Sequence, residues 1–123
     1  MFTVIVTGSR DWVDDQRVFR ELEDLWSTTE GPFVVRHGDC PTGADRFASV
    51  WCELVYEDVY EIRYPAEWVK HGKAAGPIRN AEMVVAGADL CLAFPLGASR
   101  GTRNCMRLAR EAGIPVIDCS KDL

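Results

Sequence analysis

The sequence has few of the features that mark membrane, secreted or metal proteins. Its longest apolar runs are far too short to span a bilayer. Met1 leads straight into a strand-like run, with no basic segment and no small-residue cleavage site, so no secretory signal is expected. Of the five cysteines, Cys40, Cys52, Cys91, Cys105 and Cys119, no two stand at C-x-x-C spacing, and the number is odd. That argues against a disulfide framework and points to a reducing cytoplasm. With only two histidines and no cluster of ligand-type residues, neither zinc nor another metal is expected. Positive charge is also scarce: 14 Lys and Arg stand against 19 Asp and Glu, a net charge of -5. Non-specific binding to long nucleic acids is disfavoured, because each neutralised phosphate calls for a cation. A small anionic ligand is not, since a pocket can be positive on an acidic protein.

What remains is ordinary for a globular domain: 123 residues, 47% hydrophobic and 27% charged. No repeat, low-complexity tract or linker interrupts it, so a single domain over residues 1–123 is expected. Strand and helix signals alternate. Phe2 to Val6 reads as a strand ending at Thr7-Gly8. Asp14 or Asp15 caps a helix carrying Val18, Leu22 and Leu25, closed by Gly31-Pro32. Phe33 to Arg36 is a second strand, and Ala44, Phe47, Ala48, Trp51 and Leu54 mark a second helix. Val59 to Tyr64 is a third strand, followed by a long stretch without clean periodicity as far as Gly76. A third helix is expected from Pro77 to about Ala86, with Ile78, Ala81 and Val85 inward. Leu90 to Phe94 is a buried strand. A fourth helix from about Gly101 to Ala112 turns Cys105, Ala109 and Ala112 inward and stops at Gly113, and Ile114 to Asp118 is the last strand. The pattern predicts an α/β, Rossmann-like, doubly wound, mainly parallel sheet of about five strands, ordered 3-2-1-4-5, with helices on both faces.

Ligands in such sheets bind beyond the carboxyl ends of the strands, near the switch in strand order. Three of these ends carry unusual residues. The first is Gly8, Ser9 and Arg10. The second holds Gly38, Asp39, Gly43, Ala44 and Asp45. The third runs from Pro95 through Gly97, Ser99, Arg100, Gly101 and Thr102 into a helix. Glycine admits close backbone approach, and a helix N-terminus favours an anion. Together they predict phosphate-loop binding of a phosphate-bearing small molecule. On the third helix Arg79 stands beside Asn80 and near Glu82. The pair Arg79 and Glu82 reads either as a solvated salt pair or as an arginine fork for phosphate. Trp68 reads equally as a loop anchor or as a platform for a base, with Lys70, His71 and Lys73 near it. His37 is expected to end its strand rather than act as a base. Arg103, Arg107 and Arg110 form a stripe expected to face solvent, and Cys40 is not expected to be redox-active.

The series Thr-Gly-Ser-Arg, His-Gly-x-x-x-x-Gly-Ala-Asp, Pro-Ala-x-Trp, Ala-Gly-Pro-x-Arg-Asn-x-x-Met and Ala-Phe-Pro before a Gly-Thr turn resembles the YspA-like branch of the SLOG superfamily. That superfamily is named for the SMF/DprA and Lonely Guy proteins. The resemblance spans nearly the whole chain and is most specific from Pro65 to Met83. It implies a Rossmann-like fold binding nucleotides or nucleotide-derived ligands, with dimers or higher homo-oligomers by analogy. Lonely Guy enzymes release a base from nucleoside 5′-monophosphates. Arg79 and Met83 match residues of their helix motif, whereas Asn80 stands where they have lysine. Pro95, Gly97, Gly101 and Thr102 resemble their glycine motif, but its acidic position holds Asn104 or Cys105. Glycosidic cleavage relies on a carboxylate, so the resemblance favours a binding or sensing domain without a cofactor. The alternative is a nucleotide N-glycosidase using Arg79 and Glu82; a lesser one is a single-stranded DNA-binding module.

Overall fold

The protein is described from a computed structural model over residues 1–55 and 57–120. Its strands are β1 (Phe2–Gly8), β2 (Phe33–His37), β3 (Val59–Arg63), β4 (Leu90–Phe94) and β5 (Val116–Asp118). They form one sheet of order β3-β2-β1-β4-β5, and every pairing is parallel. This is the expected Rossmann-like arrangement. The helices are α1 (Asp15–Ser27), α2 (Ala44–Leu54), the single turn α3 (Trp68–His71), α4 (Ala75–Ala86) and α5 (Arg100–Glu111).

The central strand shows why both faces are covered. Side chains alternate along a strand, and in β1 all of Val4, Ile5 and Val6 are sealed from solvent. Val4 and Val6 join Leu92 and Phe94 of β4 beneath α1 and α2, with Val18, Leu22 and Trp51. Ile5 and Cys91 point the other way, to Met83 and Val84 of α4 and Cys105 and Ala109 of α5. Among the described residues no helix is long and apolar enough to cross a membrane.

Several boundaries differ from expectation for identifiable reasons. Asp14 caps α1, its carboxylate accepting from the Arg17 N–H at 3.1 Å. The helix stops at Ser27, before Gly31-Pro32, because the Thr28 and Thr29 hydroxyls bond back to the Leu25 carbonyl at 3.1 and 2.8 Å. The stretch after β3 is not a plain loop. It holds α3 and a 3-10 turn over Gly72–Ala74 that runs into α4. The third helix thus begins at Ala75, two residues before Pro77, and proline is tolerated there because N–H groups in the first turn have no partner inside the helix.

The face of α4 is the main correction. Ile78 and Val85, expected inward, are 37% and 87% exposed; Asn80, Met83 and Val84 are buried instead. The helix is rotated to bring Asn80 against α5, where its amide is satisfied by hydrogen bonds. In α5 the inner face is Thr102, Cys105, Met106 and Ala109, whereas Ala112 lies past the helix end and is exposed. The last strand begins at Val116, because Ile114 donates its N–H to the Ala109 carbonyl at 2.9 Å and packs beneath α5.

Candidate functional site

A cleft of about 630 Å³ opens at the carboxyl edge of the sheet, beyond the paired strands β1 and β4, from which the chain leads on to β2 on one side and to β5 on the other. Its walls come from the loop after β1, the loop after β2, α3, the start of α4 and the start of α5. This is where open α/β sheets hold ligands.

The β1 loop is clamped from behind. The Ser9 N–H bonds the Phe94 carbonyl at 3.0 Å, the Ser9 carbonyl accepts from the Ala44 N–H at 3.4 Å, and the Thr42 hydroxyl bonds the Arg10 carbonyl at 3.0 Å. Such packing leaves no room for side chains. A Cβ on Gly8 would collide with Ala44 and lie 2.9 Å from the Phe94 Cβ. With its backbone fixed, Arg10 lays its guanidinium over Trp68, 5.6 Å from the ring centre. Trp68 is 48% exposed and forms part of the cleft wall.

Opposite stands α4. Arg79 donates to the Gly38 carbonyl at 2.5 Å, the Tyr64 carbonyl at 3.4 Å and the Asn80 Oδ1 at 2.9 Å. All three acceptors are neutral, so its charge is not cancelled. Asn80 in turn donates to the Gly101 carbonyl and the Asn104 Oδ1, both at 3.0 Å. This amide clasp ties α4 to the first turn of α5. It occupies the region where the resemblance would place a lysine and an acidic residue.

The start of α5 is open. Ser99 precedes it in a left-handed conformation, with φ 42°, and no side chain caps the first turn. Arg100, Gly101 and Thr102 line the cleft there. The loop before them is held by Arg103, which reaches back to the carbonyls of Ala98 at 3.1 Å and Gly97 at 2.9 Å. Arg103 is thus a loop tether, not a member of a purely solvated stripe. Nothing in its sequence spacing signals that.

Not every residue singled out from sequence borders the cleft. Gly8, Ser9, Arg10, Gly38, Asp45, Trp68, Arg79, Asn80, Ser99, Arg100, Gly101 and Thr102 do. Gly43, Ala44 and Pro95 are buried behind it, and Gly97 is on the exposed side of its loop. Asp39 is exposed, with φ 56°, near Arg63. Glu82 is turned away and borders a separate hollow of about 230 Å³ with Arg63 and Glu67. Cleft residues not anticipated as ligand contacts include Asp11, Cys40, Lys73, Gly76, Met83 and Asn104.

Beneath the β2 loop, His37 is buried. Its Nδ1 accepts the Asp39 N–H at 3.0 Å, so Nε2 carries the ring proton and donates to Glu61 at 2.6 Å. Burial opposes the charge on Glu61, but hydrogen bonds from His37, Ser49 and Arg63 prevail and hold its carboxyl below the usual range. His37 is therefore structural. Burial, with Asp45 beside it, pushes the Cys40 thiol up, which suppresses the thiolate needed for redox chemistry. Among the described residues no group of His, Cys, Asp and Glu is placed to hold a metal.

No solved structure matches the chain. A relative, the gene 61 protein of Mycobacterium phage D29, is 47% identical over 121 residues, covering 96% of each chain. Residues 2–71 match the profile of the YspA, cpYpsA-related SLOG family. That segment takes in β1 to α3, more than half of the sequence, and the chain belongs to the YspA, cpYpsA-related SLOG family.

Proposed function

We propose that the cleft binds a nucleotide or nucleotide-derived small ligand and that the chain works as a binding or sensing domain. Membership of the SLOG family suggests a nucleotide-related ligand. The observation that carries the reading is the uncapped first turn of α5 facing the uncancelled charge of Arg79 across one cleft. Free N–H groups at a helix start and a guanidinium fork both match the charge and geometry of phosphate. In this reading phosphate rests on the amides of Gly101 and Thr102, between Arg79 and Arg100, and a base lies beside the Arg10–Trp68 stack. A volume of about 630 Å³ suits a ligand of nucleotide size.

Binding is favoured over glycosidic cleavage for a geometric reason. Cleavage calls for a carboxylate at the reacting bond. Glu82 faces away from the cleft, burial pushes the carboxyl of Asp45 up towards its neutral form, and Asn104 or Cys105 stands where the resemblance to Lonely Guy enzymes would place an acid.

Calorimetry against nucleoside monophosphates, dinucleotides and ADP-ribose derivatives tests this. At least one member is expected to bind in the micromolar range, and chromatography of the mixtures should show no free base. A panel without any binder overturns the reading, and release of base would replace it with the enzymatic one.

A further inference from the structure

Asp45 is the residue in this cleft whose chemistry is least expected. It stands in the first turn of α2 and is only 4% exposed, yet it forms part of the cleft wall. Its Oδ2 accepts one long hydrogen bond, from the Cys40 N–H at 3.4 Å. Its Oδ1 is closed to solvent and has no hydrogen-bond partner among the described residues. A carboxylate buried with an oxygen unsatisfied would be severely destabilised, whereas the neutral acid has no charge to solvate and keeps one proton to donate.

The neighbours agree. A Cβ on Gly38 would lie 2.6 Å from the Arg79 Cζ and 2.9 Å from the Asp45 Oδ2, so guanidinium and carboxyl pack against the same glycine. Even so, Arg79 donates to neutral oxygens and forms no ion pair with Asp45. The charged and titratable groups facing Asp45 are His37 from β2, Cys40 from the following loop, Arg79 from α4 and Cys105 from α5. His37 accepts the Asp39 N–H at Nδ1 and donates from Nε2 to Glu61, not to Asp45. Burial pushes the Asp45 carboxyl up, against the pull of His37, Cys40 and Arg79.

We infer that Asp45 is a specificity residue acting as a neutral hydrogen-bond donor, whose carboxyl proton is given, on the side where the residue borders the cleft, to an anionic oxygen of the ligand that Arg79 holds. The inference rests on the cleft being a nucleotide site. It selects phosphoryl or carboxylate oxygens over hydroxyl donors, because an acid placed here offers a proton where an ionised aspartate would accept one. It also makes binding depend on that proton. Once pH exceeds the point at which free Asp45 ionises, each ligand must bring a proton with it, and affinity falls by about tenfold per pH unit.

The probe is ADP-ribose, whose diphosphate does not titrate near neutrality, unlike a phosphate monoester. Calorimetry from pH 5.5 to 8.5, in buffers of differing ionisation enthalpy, counts the protons taken up. Wild type is expected to show proton uptake and weakening affinity at each pH above the point at which free Asp45 ionises. Asp45→Asn, which donates through an amide that cannot ionise, is expected to show neither and to bind more tightly than wild type at the alkaline end. Carboxyl carbon NMR of the ligand-free protein supplies an independent reading: Asp45 is expected to titrate well above the surface aspartates. Binding without proton uptake at a pH where NMR shows free Asp45 ionised, or an Asp45 that titrates with the surface aspartates, overturns the donor role while leaving the cleft as a nucleotide site. Absence of ADP-ribose binding at pH 5.5 overturns the donor role for that ligand, and the panel above then decides whether the nucleotide reading falls with it.

Discussion

Gly43→Ala is expected to destabilise the protein by roughly 3 to 5 kcal/mol, a large share of the stability of a small domain. Two costs combine. Gly43 has φ 77° and ψ -152°, a conformation open to glycine and few others. A Cβ there would also strike the Ser9 carbonyl oxygen and lie 2.6 Å from the Arg10 Cα. The obstacle is backbone, which cannot swing aside as a side chain would. The β1 loop would have to leave α2, breaking the bonds that fix Arg10. Thermal melts should show a fall of about 10 to 25 °C. Gly101→Ala is the contrast: it lies within α5, a methyl group there would meet only open space, and alanine favours helix, so its melt should hold or rise slightly.

The second large effect concerns the ligand. Arg79→Ala is expected to weaken binding of a phosphate-bearing ligand by about 30- to 100-fold, the loss of one or two charge-assisted hydrogen bonds. Arg79→Lys should recover only part, since an ammonium lacks the planar fork. Arg107→Ala is the matched control. That residue pairs with Glu111 on the outer surface of α5, at 3.0 Å, and its loss should leave affinity as it was. Calorimetry on the three variants with one ligand decides the matter. Equal affinity in Arg79→Ala and wild type would remove phosphate from the wall formed by α4.

The parts of this molecule that follow from local patterns could be read from the chain. β4 occupies Leu90–Phe94 and α2 spans Ala44–Leu54 because an apolar run and a helical stripe each mark their own limits. The order of the sheet followed from alternation and crossover handedness. The face of α4 did not follow. Its apolar residues Ile78 and Val85 outvoted Asn80 in any count of hydrophobicity, and only the partners on α5 make a buried amide the better choice. Arg103 and the His37–Glu61 pair were hidden for the same reason: their roles depend on acceptors brought near by the fold. Within the cleft, strand ends and glycines were legible because backbone geometry demands them. Which side chains face inward was not, as Glu82 shows by pointing to the other hollow.

The central claim is that one cleft, between the β1 loop and the first turns of α4 and α5, receives the ligand. Amide NMR of the nitrogen-15-labelled protein, titrated with the tightest member of the nucleotide panel, tests it most directly. The largest shifts are expected at Ser9, Arg10, Gly101 and Thr102, together with the indole N–H of Trp68. Shifts gathered around Glu67, His71 and Glu82, or along Arg107 and Arg110, would contradict it.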